Sequence, residues 1–196
     1  MTRVLSAGLP ALAMLMLVDP AQAQETGHNV KPILDLRLRA EEVDQDGLDS
    51  TLALTLAGRF GLDAKFTNGW GALIEGEAVG HLTSDFSDTV DTVPGKAVIA
   101  DPEAFELNRL QISWKGEEAN ATLGRQRIIF DDARFVGNVG FRQNEQTFDA
   151  VRFGFSGFRN VSLDYAYIDK VQRIFGDESP AAVSYTHLTL PTISSV

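Results

Sequence analysis

The chain has 196 residues and a formal net charge of -10, from 17 Lys and Arg against 27 Asp and Glu. That balance argues against a nucleic-acid partner, which calls for a basic face. The absence of cysteine excludes a disulfide scaffold and any thiol chemistry.

In chain order, residues 1–23 read as a secretory signal peptide and are set aside from the fold. Arg3 is the positive start, residues 4–18 are a mostly apolar run too short for a membrane span, and Ala21-Gln22-Ala23 is a small-x-small cleavage site. Seven strands are then predicted from alternation of apolar and polar residues. Residues 31–42 put Leu34, Leu36, Leu38 and Ala40 on one face, against Asp35, Arg37, Arg39 and Glu41. Residues 51–66 put Leu52, Leu54, Leu56, Phe60, Leu62, Ala64 and Phe66 on one face, with Gly58 as the gap. Residues 70–82 set Trp70, Ala72, Ile74 and Ala78 against Glu75, Glu77 and His81. Residues 105–114 set Leu110, Ile112 and Trp114 against Arg109, Gln111 and Ser113. Residues 119–130 form a fifth strand of uncertain parity, with a bulge as one way to account for it. Residues 147–156 set Val151, Phe153 and Phe155 against Ala150 and Arg152. Residues 161–170 set Leu163, Tyr165 and Tyr167 against Ser162, Asp164 and Ala166.

The C-terminal stretch "VSYTHLTLPT", residues 183–192, resembles a translated sequencing adapter, a transposase mosaic end read in frame. Residues 183–196 are therefore expected to lie outside the natural fold. Residues 24–182 are expected to be the N-terminal part of a larger protein.

Connections alternate in length. Those at 67–69, 115–120 and 157–160 are short, whereas 83–104 and 131–146 are long and 43–49 is intermediate. Outer-membrane barrels follow this rule, with short periplasmic turns and longer external loops. A soluble sandwich also has alternating strands, but it has no reason to gather its long loops at one end. Phe66, Trp70, Trp114, Phe155, Tyr165 and Tyr167 fall on the apolar face, several near strand ends, which suits an interfacial girdle. The expected fold is all-β: a transmembrane antiparallel up-and-down β-barrel, here truncated to about seven strands and so an open curved sheet. Seven strands do not close as a bacterial barrel, and an open edge is forbidden in lipid.

Residues 123–152 carry a recognisable pattern: Gly124-Arg125-Gln126-Arg127, then Arg134-Phe135-Val136-Gly137, then Arg142-Gln143-Asn144-Glu145-Gln146-Thr147-Phe148-Asp149. This segment resembles the alginate-export family of outer-membrane β-barrel porins, with a looser likeness over 31–169. The resemblance implies passive diffusion or export of anionic polysaccharide or small anionic solutes across the bacterial outer membrane, through an arginine-rich lumen. It does not single out alginate as the substrate.

The residues support a parallel reading. Arg37, Arg39, Arg59, Arg109 and Arg152 lie on the polar parity of their strands and would face a pore. Guanidinium groups stay charged and present a planar fork to carboxylates. The alternative is that they pair with Asp35, Glu41, Asp63, Glu75 and Glu77 as struts of the wall. Residues 131–146 are expected to fold into the lumen, the alternative being a surface loop packed on the rim. Arg134 and Arg142 would then face water at a constriction, with Gly137, Val139, Gly140 and Phe141 packed inside.

No catalytic constellation is expected. Asp44-Gln45-Asp46-Gly47 fails the EF-hand spacing, His28 and His81 lie far apart, and no serine sits in a nucleophile elbow. The expected protein is a non-enzymatic porin without metal or cofactor, its partners being outer-membrane lipid and an anionic solute. A soluble periplasmic β-protein that binds a sugar polymer, or a barrel enzyme or adhesin, are the alternatives.

Overall fold

The computed structural model describes residues 28–130, 132–159 and 161–176, with the backbone of two short strands at 4–5 and 188–195. The elements are β1 (Val4–Leu5), β2 (Asn29–Val43), β3 (Thr51–Lys65), β4 (Trp70–His81), β5 (Ala104–Lys115), β6 (Ala119–Gln126), β7 (Thr147–Phe158), β8 (Val161–Gln172) and β9 (Leu188–Ser195). They form one open sheet in sequence order, and each neighbouring pair is antiparallel. The seven expected strands are β2–β8. Two short strands flank them: β1 pairs with the end of β2, and β9 runs along Val161–Ile168. Apart from these, the stretches read as leader and as adapter tail lie outside the described residues.

The apolar face of the sheet is exposed and the charged face is the covered one. Leu34, Leu36 and Leu38 on β2 are exposed, Leu34 at 70%. So are Leu52, Leu56, Phe60 and Leu62 on β3, Ile74 on β4, Leu110 and Ile112 on β5, Leu123 on β6, and Val151 and Phe153 on β7. The opposite face holds the buried charges, with Glu75 at 1% and Glu77 at 0%. Strand geometry explains how one sequence produces both faces, because successive side chains point to opposite sides. No second layer covers the apolar side among the described residues. Both long connections fold onto the charged side instead. Phe86 and Ile99, from the connection after β4, pack on Ala53 and Val43. Ile128 and Val136, from the connection after β6, pack on Phe148, Ala150, Ala166 and Ile168.

One strand ends early. The alternation predicted a strand to residue 130, but β6 stops at Gln126. Ile128 turns inward to the buried cluster, and apolar burial outweighs continued pairing there. Nor does β6 hold the bulge: its register runs unbroken against β5 and β7. One of the register shifts lies between β4 and β5, where Glu75 faces Arg109 and Gly76 faces Leu107, leaving Asn108 as the extra residue. A bulge re-aims side chains. Here it lets Asn108 and Arg109, neighbours in sequence, both bond the carboxylate of Glu75, while Leu107 and Leu110 both remain exposed.

The turns sort by end. Thr67–Gly69 is a tight 3-10 turn with Asn68 at φ 58 and Gly69 at φ 80. Gly116 N donates to Ala119 O at 2.8 Å to close the second short turn. At this same end Trp70 lies opposite Trp114 across β4 and β5, and Phe66 and Trp70 are exposed. The longer connections leave from the other end.

Candidate functional site

The site is the layer formed by the charged face of β2–β5 and the two connections laid over it. On β2, Arg39 donates to Asp101 at 2.8 Å and to Glu41 at 2.5 Å. Asp101 comes from the connection after β4, and its other oxygen accepts from Gln143 N at 3.0 Å. Arg142 approaches from the connection after β6 and donates to Glu41 at 3.2 Å. The Phe141 ring lies between Arg39 and Arg142, whose guanidinium carbons stand 4.2 and 5.4 Å from its centroid. Arg37 donates to the carbonyls of Gly140, Phe141 and Arg142 at 2.9, 2.9 and 3.0 Å. Among the described residues no carboxylate lies within ion-pairing distance of Arg37.

A second group adjoins it on β3–β5. Arg59 donates through Nε and Nη2 to Glu77 at 3.0 and 2.9 Å. Arg109 grips both oxygens of Glu75 at 2.7 and 2.6 Å. These are directly facing residues in the strand register. The wall-strut alternative therefore describes Arg59 and Arg109. Over them sits Glu145, fully buried. It accepts from Arg127 at 2.7 and 2.5 Å, from Asn108 at 2.7 Å and from Asn138 at 2.9 Å. Burial would raise the pKa of this carboxyl. The hydrogen bonds of Arg127, Asn138 and Asn108 and the charge of Arg59 outweigh it and hold the group below the ordinary glutamate range.

Of the seven arginines singled out in the sequence, five come together: Arg37, Arg39 and Arg142 in the first group, Arg59 and Arg109 in the second. Arg152 stands apart on β7, paired with Asp164 of β8 and 5.3 Å from the Phe130 ring centroid. Arg134 also stands apart, 71% exposed at its side chain, with Asp132 at 3.5 Å. The expected packing of the loop is corrected at its tip. Val139 and Phe141 are exposed, and Arg142 is turned toward the sheet. The face beneath them is ionic, so it offers bonds to a guanidinium and no apolar seat for a phenyl ring.

The sequence reading gave no site role to Asp101, Asn108, Arg127, Asn138, Gln143 or Glu145, although Arg127, Gln143 and Glu145 fall within the segment that carries the resemblance. Asn108 had a legible signal, because the apolar alternation Phe105, Leu107, Leu110, Ile112 slips phase across an Asn-Arg pair. Gln143 reaches the Thr55 side chain at 2.9 Å from 88 positions away, and no local pattern encodes that.

Charge in this layer is balanced. Arg37, Arg39, Arg59, Arg109, Arg127 and Arg142 stand with Asp35, Glu41, Glu75, Glu77, Asp101 and Glu145. The arrangement binds the connection to the wall, with Arg37 held by carbonyls alone and Arg134 beside Asp132. Comparison with family models, with curated proteins and with solved structures finds no match for this chain.

Proposed function

We propose that the chain forms part of the wall of an outer-membrane β-barrel porin of the alginate-export type, which passes anionic solutes or polysaccharide through a charged lumen. One observation carries this reading: large apolar side chains are exposed along β2–β7 while Arg39, Glu41, Glu75 and Glu77 on the opposite face are buried. In water such a face costs on the order of 25 cal/mol per Å² left uncovered. Against hydrocarbon it costs nothing, and the polar face then belongs to an aqueous interior. Strand length agrees, since β2, β3, β4, β5, β7 and β8 have 12 or 15 residues and a tilted spanning strand needs about 9–11. The exposed aromatics at the short-turn end suit a membrane–water interface. Open edges cannot face lipid, so the reading requires further strands, from the same product or another copy, to pair them.

Anion preference is supported by Arg37, which is held by three carbonyls and by no carboxylate among the described residues, so its charge is not neutralised by an adjacent ion pair. The test uses the natural absence of cysteine. In the membrane-inserted protein, Leu34→Cys, Leu36→Cys and Leu38→Cys are expected to resist a water-soluble maleimide, whereas Asp35→Cys reacts. Equal reactivity at Leu36→Cys and Asp35→Cys would remove the lipid-facing assignment. In planar bilayers, Arg37→Glu is expected to move the reversal potential toward cation selectivity, and an unchanged potential removes the anion preference.

A further inference from the structure

The connection after β6 has two parts held by different forces. Its root is apolar: Ile128 and Val136 are buried with Phe148, Ala150, Ala166 and Ile168 of β7 and β8. Its tip, residues 138–145, is held on β2–β5 by hydrogen bonds and ion pairs, while Val139 and Phe141 stay exposed. The tip closes on itself at a neck. Gln146 N donates to Asn138 O at 2.8 Å, and Asn138 Nδ2 donates to Glu145 at 2.9 Å.

The closed tip is strained. Val139 has φ 52, a left-handed conformation that a β-branched residue adopts only when its surroundings force it. Asn144 is buried with neither side-chain amide atom hydrogen-bonded to any described group. These costs are offset by bonds from several sides: Arg37 holds the carbonyls of 140–142, Gln143 bonds Thr55, Arg142 bonds Glu41, and Glu145 joins the tip to Asn108 of β5 and to Arg127 and Asn138 of its own connection.

We infer that residues 138–145 are a hinged strap, held shut on β2–β5 by this set of bonds with Glu145 as the buried member that joins it to β5 and to the root, and released about Val139 when they give way. The apolar root is its fixed base. Glu145 acts as a positioning residue for the strap. The hinge follows from bonding and strain alone; its consequence, a wider passage when the strap is off, rests on the pore reading.

Trypsin on the detergent-solubilised full-length protein tests it. Arg134, exposed on the root, is cut in both states and serves as the internal reference. Arg142 is cut when the strap is open. Where opening is fast relative to cleavage, the rate reports the open population. Glu145→Ala is expected to raise the Arg142 rate relative to Arg134 by about tenfold or more. Val139→Gly, which removes the strain of the closed form, is expected to lower it by about as much. An unchanged ratio in Glu145→Ala overturns the strap. So does equal acceleration at Arg142, Arg59 and Arg109, which marks general unfolding, or a faster Arg142 cut in Val139→Gly. These readouts do not depend on lipid, so the strap and the cysteine accessibility pattern fail separately.

Discussion

Asn108 donates through Nδ2 to Oε1 of Glu145 at 2.7 Å, joining the bulged residue of β5 to the tip of a connection 37 positions further on. The same amide donates to Glu75 at 2.9 Å. Two buried carboxylates therefore share one donor group. Asn108→Ala removes it from both and is expected to cost about 1–3 kcal/mol, because buried acceptors lose a partner. Urea unfolding of the full-length protein in lipid vesicles measures this. A cost below a few tenths of a kcal/mol would mean that water replaces the amide.

Burial separates two arginines of similar chemistry. The side chain of Arg39 is 8% exposed and that of Arg152 is 30% exposed. Arg39→Ala leaves Glu41 and Asp101 buried with Arg142, at 3.2 and 3.9 Å, as their remaining cation, so a loss approaching about 3 kcal/mol is expected. Arg152→Ala removes a pair open to water, and less than about 1 kcal/mol is expected. Comparing the two unfolding midpoints tests the ranking, and equal costs would contradict it.

Glu145 predicts an acid response. Its folded carboxyl titrates below the ordinary value of 4.5. Its contribution is present in full above that ordinary value and is lost as pH falls through the lower, folded value. Arg127 and Arg59 face it as cations, and Glu77 accepts its backbone N–H at 3.4 Å. Acid unfolding curves of the native protein and of Glu145→Gln are expected to differ in slope below about pH 4.5. Parallel curves would show that the carboxyl is not held in its charged form.

Gly69 limits the short turn between β3 and β4. Its φ is 80, and a Cβ there would run into the carbonyl oxygen of Lys115. Gly69→Ala therefore combines backbone strain with a clash and is expected to cost more than about 1 kcal/mol. The vesicle unfolding assay reads it directly, whereas a neutral result would show that the turn relaxes away from β5.

The alternation of Leu34, Leu36 and Leu38 with Asp35, Arg37 and Arg39 is a local property, so strand existence and the division of faces were legible from residues a few positions apart. The strand limits followed from the turn residues. The end of β6 did not, because Ile128 leaves the sheet for partners on β7 and β8 that no short window contains. At the site, the pairing of Arg59 with Glu77 was foreseeable once the tight turn had set the register of β3 and β4, whereas that of Arg109 with Glu75 spans a long connection and a bulge. The place of Arg142 was not, since its carboxylate partner lies 101 positions earlier.

The sequence by itself determined an all-β sheet with one apolar and one charged face, because side-chain direction along a strand has period two. Only the tertiary structure decided which carboxylate holds each arginine, that Arg37 is held by three carbonyls, and that Glu145 anchors the connection after β6. Those outcomes depend on where two long connections come to rest, and that is set by buried contacts between segments far apart in the chain.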